Sequence, residues 1–181
     1  RSALRHRPEY IIVGEVRGEE AVTLFQAMNT GHTTFSTMHA DSIETVINRL
    51  ENEPINVPRA MVQSLDMISI QVLTRKDEER VRRAKTVGEI GGIDQRTGEL
   101  DYSSAFRWQS ESDTVERQDS SLLEEIQDER GWSRERLLRE IRNRERFLEF
   151  LQKRDVTDYR AFTALINEYY AHPERVMDRV E

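Results

Sequence analysis

The 181-residue chain contains no cysteine, which excludes disulfides and thiolate metal sites and fits an intracellular protein. No apolar run approaches the roughly 18–20 residues that cross a bilayer, and no signal peptide opens the chain. Any link to a membrane is therefore expected to run through a partner. Lysine is almost missing: of 27 basic residues only Lys76, Lys85 and Lys153 are lysines, the other 24 being arginine. Such an acidic, lysine-poor surface suits a salt-rich cytoplasm and an arginine-biased genome equally. Positive charge is in deficit as well, and the formal net charge of −7 argues against a general nucleic-acid binder, which needs a phosphate-neutralising face. Local basic patches survive that argument, because net charge is silent about distribution. Also missing is G-x-x-x-x-G-K-[ST], the loop whose backbone N–H groups, lysine and hydroxyl cradle nucleotide phosphates and Mg²⁺. The chain opens on Arg1 rather than methionine and reads as a fragment.

What is present has a clear order. Residues 9–16, EYIIVGEV, begin as a β-branched apolar run without helical period, which predicts a strand buried on both faces of a parallel sheet. Gly14 marks its end. A helix follows from Gly18-Glu19-Glu20, with acid in its first turn, where the helix dipole favours it. Ala21, Leu24, Phe25 and Met28 form its apolar face, and Asn29-Thr30-Gly31 ends it. TTFSTM, residues 33–38, predicts a second strand. Asp41-Ser42-Ile43-Glu44 has capping-box spacing ahead of Ile43, Val46, Ile47 and Leu50, which repeat as one helical face. Pro58 suits the start of another short helix, and Ile68, Ile70 and Val72 alternate as a strand.

Strand–helix–strand–helix order argues for an α/β layer with a mostly parallel sheet through residue 75. Residues 79–93 and 99–109 then read as a hairpin around Asp94–Gly98. After Asp119 the chain reads helical. Gly131 is a stop and Ser133 an N-cap. Leu137, Leu138, Ile141, Leu148 and Leu151 form one inner stripe, and Tyr159, Phe162, Ile166 and Tyr169 another. The polar stretch Gln109–Thr114 places a boundary near residue 110, giving domains 1–110 and 111–181.

Two segments can carry chemistry: Arg5-x-Arg7-Pro8-Glu9-Tyr10-Ile11-Ile12-Val13-Gly14-Glu15-Val16-Arg17, and Gly31-His32-Thr33-Thr34-Phe35-Ser36-Thr37-Met38-His39-Ala40. Ligands of open parallel sheets bind outside the carboxyl ends of the strands. Glu15 sits at one such end and His39 just past the other, so neighbouring strands bring them together. A carboxylate beside a glycine suits a group that orients water or holds hydrated Mg²⁺. The plain alternatives are a solvated strand-end acid and surface imidazoles. A metal site from His32, His39 and Asp41 is short of ligands and matches no standard spacing. Alternating Glu and Arg over 119–155 reads as a solvated helix face, or as a contact surface for a membrane platform protein or neighbouring subunit.

RPEYIIVGEVRG resembles the Walker B segment of the type II/IV secretion, type IV pilus and archaellum ATPases, and TGHTTFSTMHA resembles that family's histidine box. GIDQRTGEL, the FRW run and ERGWS resemble the archaeal branch. The resemblance implies a partial RecA-like P-loop NTPase core with a β-hairpin extension and a C-terminal helical bundle, using ATP and Mg²⁺. It implies a homo-hexameric motor at the cytoplasmic face of the membrane, working with a membrane platform protein, with no nucleic acid as partner. By matching position, Glu15 becomes the acid that activates or positions water, and His39 a sensor or ligand of the terminal phosphate. Gly14, Gly31 and His32 shape the nucleotide site, and Arg5 and Arg17 are the arginines nearest it. Glu9 stands where that segment usually has aspartate. The competing readings are a non-catalytic interaction module and a RecA-like nucleic-acid motor. A sheet without upstream strands leaves an edge unpaired, and such an edge tends to recruit another chain.

Overall fold

A computed structural model describes residues 8–76 and 78–180. The chain forms two compact units that divide between Leu122 and Leu123, each with its own apolar cluster.

In the first unit, β1 (Tyr10–Val13) and β2 (Thr33–Ser36) pair in parallel, with Tyr10 opposite Thr33 and Val13 opposite Ser36. Parallel neighbours need a crossover connection, supplied by α1 (Glu20–Asn29), which buries Ala21, Leu24, Phe25 and Ala27. The crossover ends at Gly31, whose φ of +83° few other residues tolerate. There the Gly31 N–H donates to Met28 O at 2.9 Å and the His32 N–H to Ala27 O at 3.1 Å, satisfying carbonyls the helix end leaves free.

Next, α2 (Ile43–Glu51) buries Ile43, Val46, Ile47 and Leu50. Its cap is Ser42, whose Oγ accepts from the Thr45 N–H at 3.1 Å. Asp41, one residue earlier, instead accepts from the Thr45 hydroxyl at 2.8 Å. A short α3 (Arg59–Val62) follows Pro58.

Burial of β1 on both faces is not found. Ile11 and Val13 pack against the core, whereas Tyr10 is 61% and Ile12 76% exposed. The pleat sends alternate side chains to opposite faces, and only the Ile11/Val13 face meets the core cluster. Tyr10 stacks on Phe35 with centroids 6.4 Å apart.

A second correction concerns the sheet. β3 (Met67–Lys76) does not join the parallel pair. It opens an antiparallel sheet in the order β3–β4–β5–β6, with β4 at Glu79–Ile93, β5 at Leu100–Gln109 and β6 at Thr114–Arg117. Its pairing with β4 follows from connection length: Lys76 lies opposite Glu79, and strands only two residues apart in sequence can pair only antiparallel. Glu78 in the turn between them has φ +68°. The 94–98 turn forms as its sequence suggests: Asp94 Oδ1 accepts from the N–H groups of Arg96 and Thr97 at 2.7 and 2.9 Å. The polar stretch at 109–114 is the turn into β6, a strand the sequence did not signal.

Asp113 locks that turn. It accepts two bonds from Arg83 at 2.7 and 2.8 Å and one from Trp108 Nε1 at 2.8 Å, with Lys76 Nζ 3.0 Å away. At the other end of β4, Glu89 is buried and accepts from the Ser120 and Ser121 hydroxyls and from the Leu122 N–H. A carboxylate suits this position, the first turn of α4 (Ser121–Arg130), because orphan N–H groups and the helix dipole converge there.

The second unit holds most of α4, with α5 (Arg134–Lys153), α6 (Tyr159–Ala171) and α7 (Pro173–Val180). Ser133 and Asp158 cap α5 and α6 by accepting from the N–H groups of Arg136 and Ala161. Phe147, Leu151, Tyr169, Val176 and Met177 form the core, with the Phe147 and Tyr169 rings stacked at 4.8 Å. Of the expected stripe residues, Leu151 and Tyr169 lie in it and Ile166 packs against it, whereas Leu148, Tyr159 and Phe162 are exposed, at 51%, 79% and 38%. Phe147 takes the inward position because it is four residues from Leu151, whereas Leu148 is turned about 100° away from it.

Arg83, the Trp108 indole and Lys76 hold the Asp113 carboxyl below its usual 3.8. A depressed carboxyl stabilises the fold above the unfolded value and loses that effect as pH falls. Asp113→Asn is therefore expected to lower Tm near neutral pH, with the gap to the parent narrowing as pH drops below about 4. Thermal unfolding of both proteins across pH checks this. A gap of constant size would assign the effect to something other than the charge.

Candidate functional site

The site grows from where β1 and β2 end. Beyond the last paired residues the two chains stay joined, with the Val16 N–H donating to Thr37 O at 2.9 Å and the Thr37 hydroxyl to Gly14 O. Val16 is only 4% exposed and anchors the segment in the core. Its neighbours Glu15 and Arg17 consequently point away from the core, at the same edge as residues 37–39.

Glu15 Oε1 lies 3.2 Å from His39 Nε2, and Glu15 Oε2 accepts from Arg17 at 2.5 Å. The Glu15 side chain is 26% exposed, against 75% for Arg17 and 86% for His39, so the carboxylate is sheltered while both partners face solvent. The hydrogen bond from Arg17 is the main reason the Glu15 carboxyl sits below its ordinary value, with the charges of Arg17 and His39 adding to it against partial desolvation.

Each partner is itself held. Glu20 Oε1 accepts from the N–H groups of Arg17 and Gly18 at 2.6 and 3.0 Å, which fixes the Arg17 backbone at the start of α1. Arg49, from the last turn of α2, donates to the carbonyl of His39. Around them lies a cavity of about 360 Å³ lined by Glu15, Arg17, Met38, His39, Arg49 and Glu53, among others. Arg49 went unnoticed in the sequence. Its only signal was a basic residue closing an amphipathic helix, a placement the helix dipole alone explains.

The other residues singled out by sequence do not gather here. Gly31 and His32 lie at the opposite end of β2, roughly 13 Å of strand from the Glu15 edge. Their visible work there is to terminate α1, and the His32 ring contacts the Thr30 hydroxyl at 3.2 Å. Gly14 is at the edge, with open space where a side chain would be. Arg5 lies outside the described residues. Among the described residues no three of His, Asp and Glu converge as a metal site, and His32 and His39 are separated by the length of β2.

What the cluster offers is a carboxylate acceptor, an imidazole and two guanidinium groups converging on one open cavity. That donor set fits the oxygens of a phosphoryl group and a water held against it.

The chain is similar to several known proteins. Residues 111–181 match the family described as PilB3-like, C-terminal. An uncharacterized protein of Methanocaldococcus jannaschii is 42% identical over 170 residues, covering 93% of this chain and 63% of that protein. The type IV pilus retraction ATPase PilT of Pseudomonas aeruginosa is 40% identical over 72 residues, 39% of this chain and 21% of that one. Among solved structures, the ATPase DotB of Yersinia pseudotuberculosis is 30% identical over 48% of this chain and 24% of its own, with a TM-score of 0.38, too low to bear on the fold. The chain carries a PilB3-like C-terminal domain and is similar over part of its length to proteins of type IV pilus, conjugal-transfer and competence systems. It spans less than two thirds of the length of these relatives. Among the described residues no helix is long and apolar enough to cross a membrane.

Because Arg17 is the leading cause of the Glu15 shift, Arg17→Ala is expected to raise the Glu15 carboxyl toward its ordinary 4.5, and His39→Ala to raise it less. NMR titration of the Glu15 side-chain carboxyl reads both. An unchanged titration in Arg17→Ala would show that the pair does not persist in solution.

Proposed function

We propose that the chain is the C-terminal part of a hexameric, RecA-like ATPase motor of the archaeal secretion and pilus branch. It would carry the water-positioning half of the catalytic site. The observation that supports this most is the contact of Glu15 with His39 and Arg17 beside the carboxyl ends of two parallel strands. The relatives among pilus and conjugal-transfer proteins support the class, and the 42% identity to a Methanocaldococcus jannaschii protein supports the archaeal origin. On the same reading residues 1–110 belong to the ATPase core and 111–181 form the helical appendage. The motor works at the cytoplasmic face of the membrane against a platform protein.

In this role Glu15 accepts a hydrogen bond from the attacking water and orients it toward the terminal phosphate. Proton acceptance in hydrolysis falls to the same carboxylate, which Arg17 keeps ionised and aimed. His39, donating to the phosphoryl oxygens, reports whether the terminal phosphate is present, and Arg17 and Arg49 stabilise charge that develops on it. ATP supplies the phosphoryl group, and Mg²⁺ neutralises its oxygens when bound. The phosphate cradle is not encoded in these residues and must come from the remainder of the motor. The 86% exposure of His39 fits a half-site that another segment completes.

Glu15→Gln in the full-length motor is expected to lower turnover by about 10²–10⁴ while sparing nucleotide binding. Steady-state hydrolysis and nucleotide titration measure the two effects separately, and near-normal hydrolysis would reduce Glu15 to a structural acid. The 181-residue chain alone is expected to bind ATP no tighter than about millimolar, for want of the phosphate loop. Micromolar affinity by calorimetry would mean that the site has been misplaced.

A further inference from the structure

The strands β3 and β4 form a hairpin whose outward face is cationic in an acidic molecule. Arg75 lies directly opposite Arg80, and Leu73 opposite Arg82. Directly paired residues share a face, and all four are exposed, Leu73 at 56%. Like charges set opposite each other across a strand pair are destabilising, yet among the described residues none of the three arginine side chains meets a carboxylate. The neighbouring Arg83 and Lys76, by contrast, are both satisfied by Asp113. The unpaired arginines flank an exposed leucine on β3, which is also the edge strand of its sheet.

A complementary surface exists on the same chain. In α4, Glu124, Glu125, Asp128 and Glu129 are exposed and make no ion pair among the described residues. At about 100° per residue they fall within an arc of roughly 140°, with Ile126 at its border. Ile126 is 40% exposed. Acids on α5 differ: Glu135, Glu140 and Glu149 each lie beside a base four residues on. The spacings also agree. Successive outward positions on a strand and i, i+4 positions on a helix both recur at roughly 6–7 Å.

We propose that the Arg75/Arg80/Arg82 face of the hairpin docks a second copy of this chain through the acidic face of its α4, with Leu73 against Ile126 at the margin of the charged contact. Two different patches meet, so the contact is heterologous. It propagates from copy to copy and closes into a ring only if the rotation allows. Complementary charge flanked by a desolvated apolar pair gives the contact both its energy and its register. It involves neither Glu15 nor the nucleotide reading, so it stands or falls separately.

Sedimentation velocity of the 181-residue chain over a range of concentrations is expected to show reversible association that weakens with salt. The triple variant Arg75→Glu, Arg80→Glu, Arg82→Glu should weaken it by at least about tenfold, as should Glu124→Arg, Glu125→Arg, Asp128→Arg. An equimolar mixture of the two variants restores both charge patterns across the contact and should associate again. Circular dichroism and Tm of each variant establish that it is folded, and the mixture supplies a positive result that misfolded chains cannot. The proposal is overturned if the parent chain is monomeric throughout, if either reversal leaves association unchanged, or if the mixture stays dissociated. Hairpin-dependent binding to phosphatidylserine vesicles without self-association would assign the arginines to an anionic membrane and equally overturn it.

Discussion

The parallel pairing of β1 with β2 is the constraint on which the candidate site depends. Strand pairing alone sets neighbouring chains about 4.8 Å apart, and the register that places Val13 opposite Ser36 makes both leave the sheet at the same edge. The link from Val16 to Thr37 carries that alignment past the strands. Glu15 and His39, remote along the chain, then have little freedom left except to meet. Shifting one strand by a single residue would exchange its faces, sending Val13 to solvent and breaking the meeting. The core side chains Ile11, Val13 and Val16 therefore determine the site as firmly as the polar residues in it.

Two carboxyls held below their ordinary pKa show how similar chemistry serves different ends. Asp113 is enclosed by Arg83, Trp108 and Lys76, leaving its oxygens committed to closing a turn. Glu15 has one oxygen on Arg17 and one near His39, and both partners are largely open to solvent. Capacity left over after internal bonding is what distinguishes a group that can act on a ligand from one that holds structure. In water such exposed contacts are weak, and on the proposed function further protein would exclude solvent and supply the phosphate cradle.

Much of this was legible in the sequence because it is local. The helix of Ala21, Leu24 and Phe25, the stop at Gly31, the caps at Ser133 and the turn at Asp94 follow from periodicity and from the conformations each residue tolerates. The pairing of Glu15 with His39 was legible because two parallel strands share an edge. What the sequence concealed is tertiary. Ile12 and Phe35 look like core residues, but they share the face of the strand pair that the core cluster does not cover. Val72 alternates as it would in any sheet, so pattern alone could not show that β3 turns back on β4 rather than joining β2. Asp113 and β6 lie in a stretch whose polarity imitates a linker, and Arg49 earns its place only through a contact with the His39 carbonyl.

On the proposed function, Glu15 and His39 face the terminal phosphate of a nucleotide held by the rest of the motor. This placement is tested most directly by a structure of the full-length motor bound to Mg²⁺ and a non-hydrolysable ATP analogue. The His39 imidazole is expected within hydrogen-bonding reach of the terminal phosphate, about 2.6–3.2 Å, and the Glu15 carboxylate at that range from a water in line with it. A terminal phosphate bound away from this edge, with Glu15 and His39 still paired only to each other, would contradict the placement.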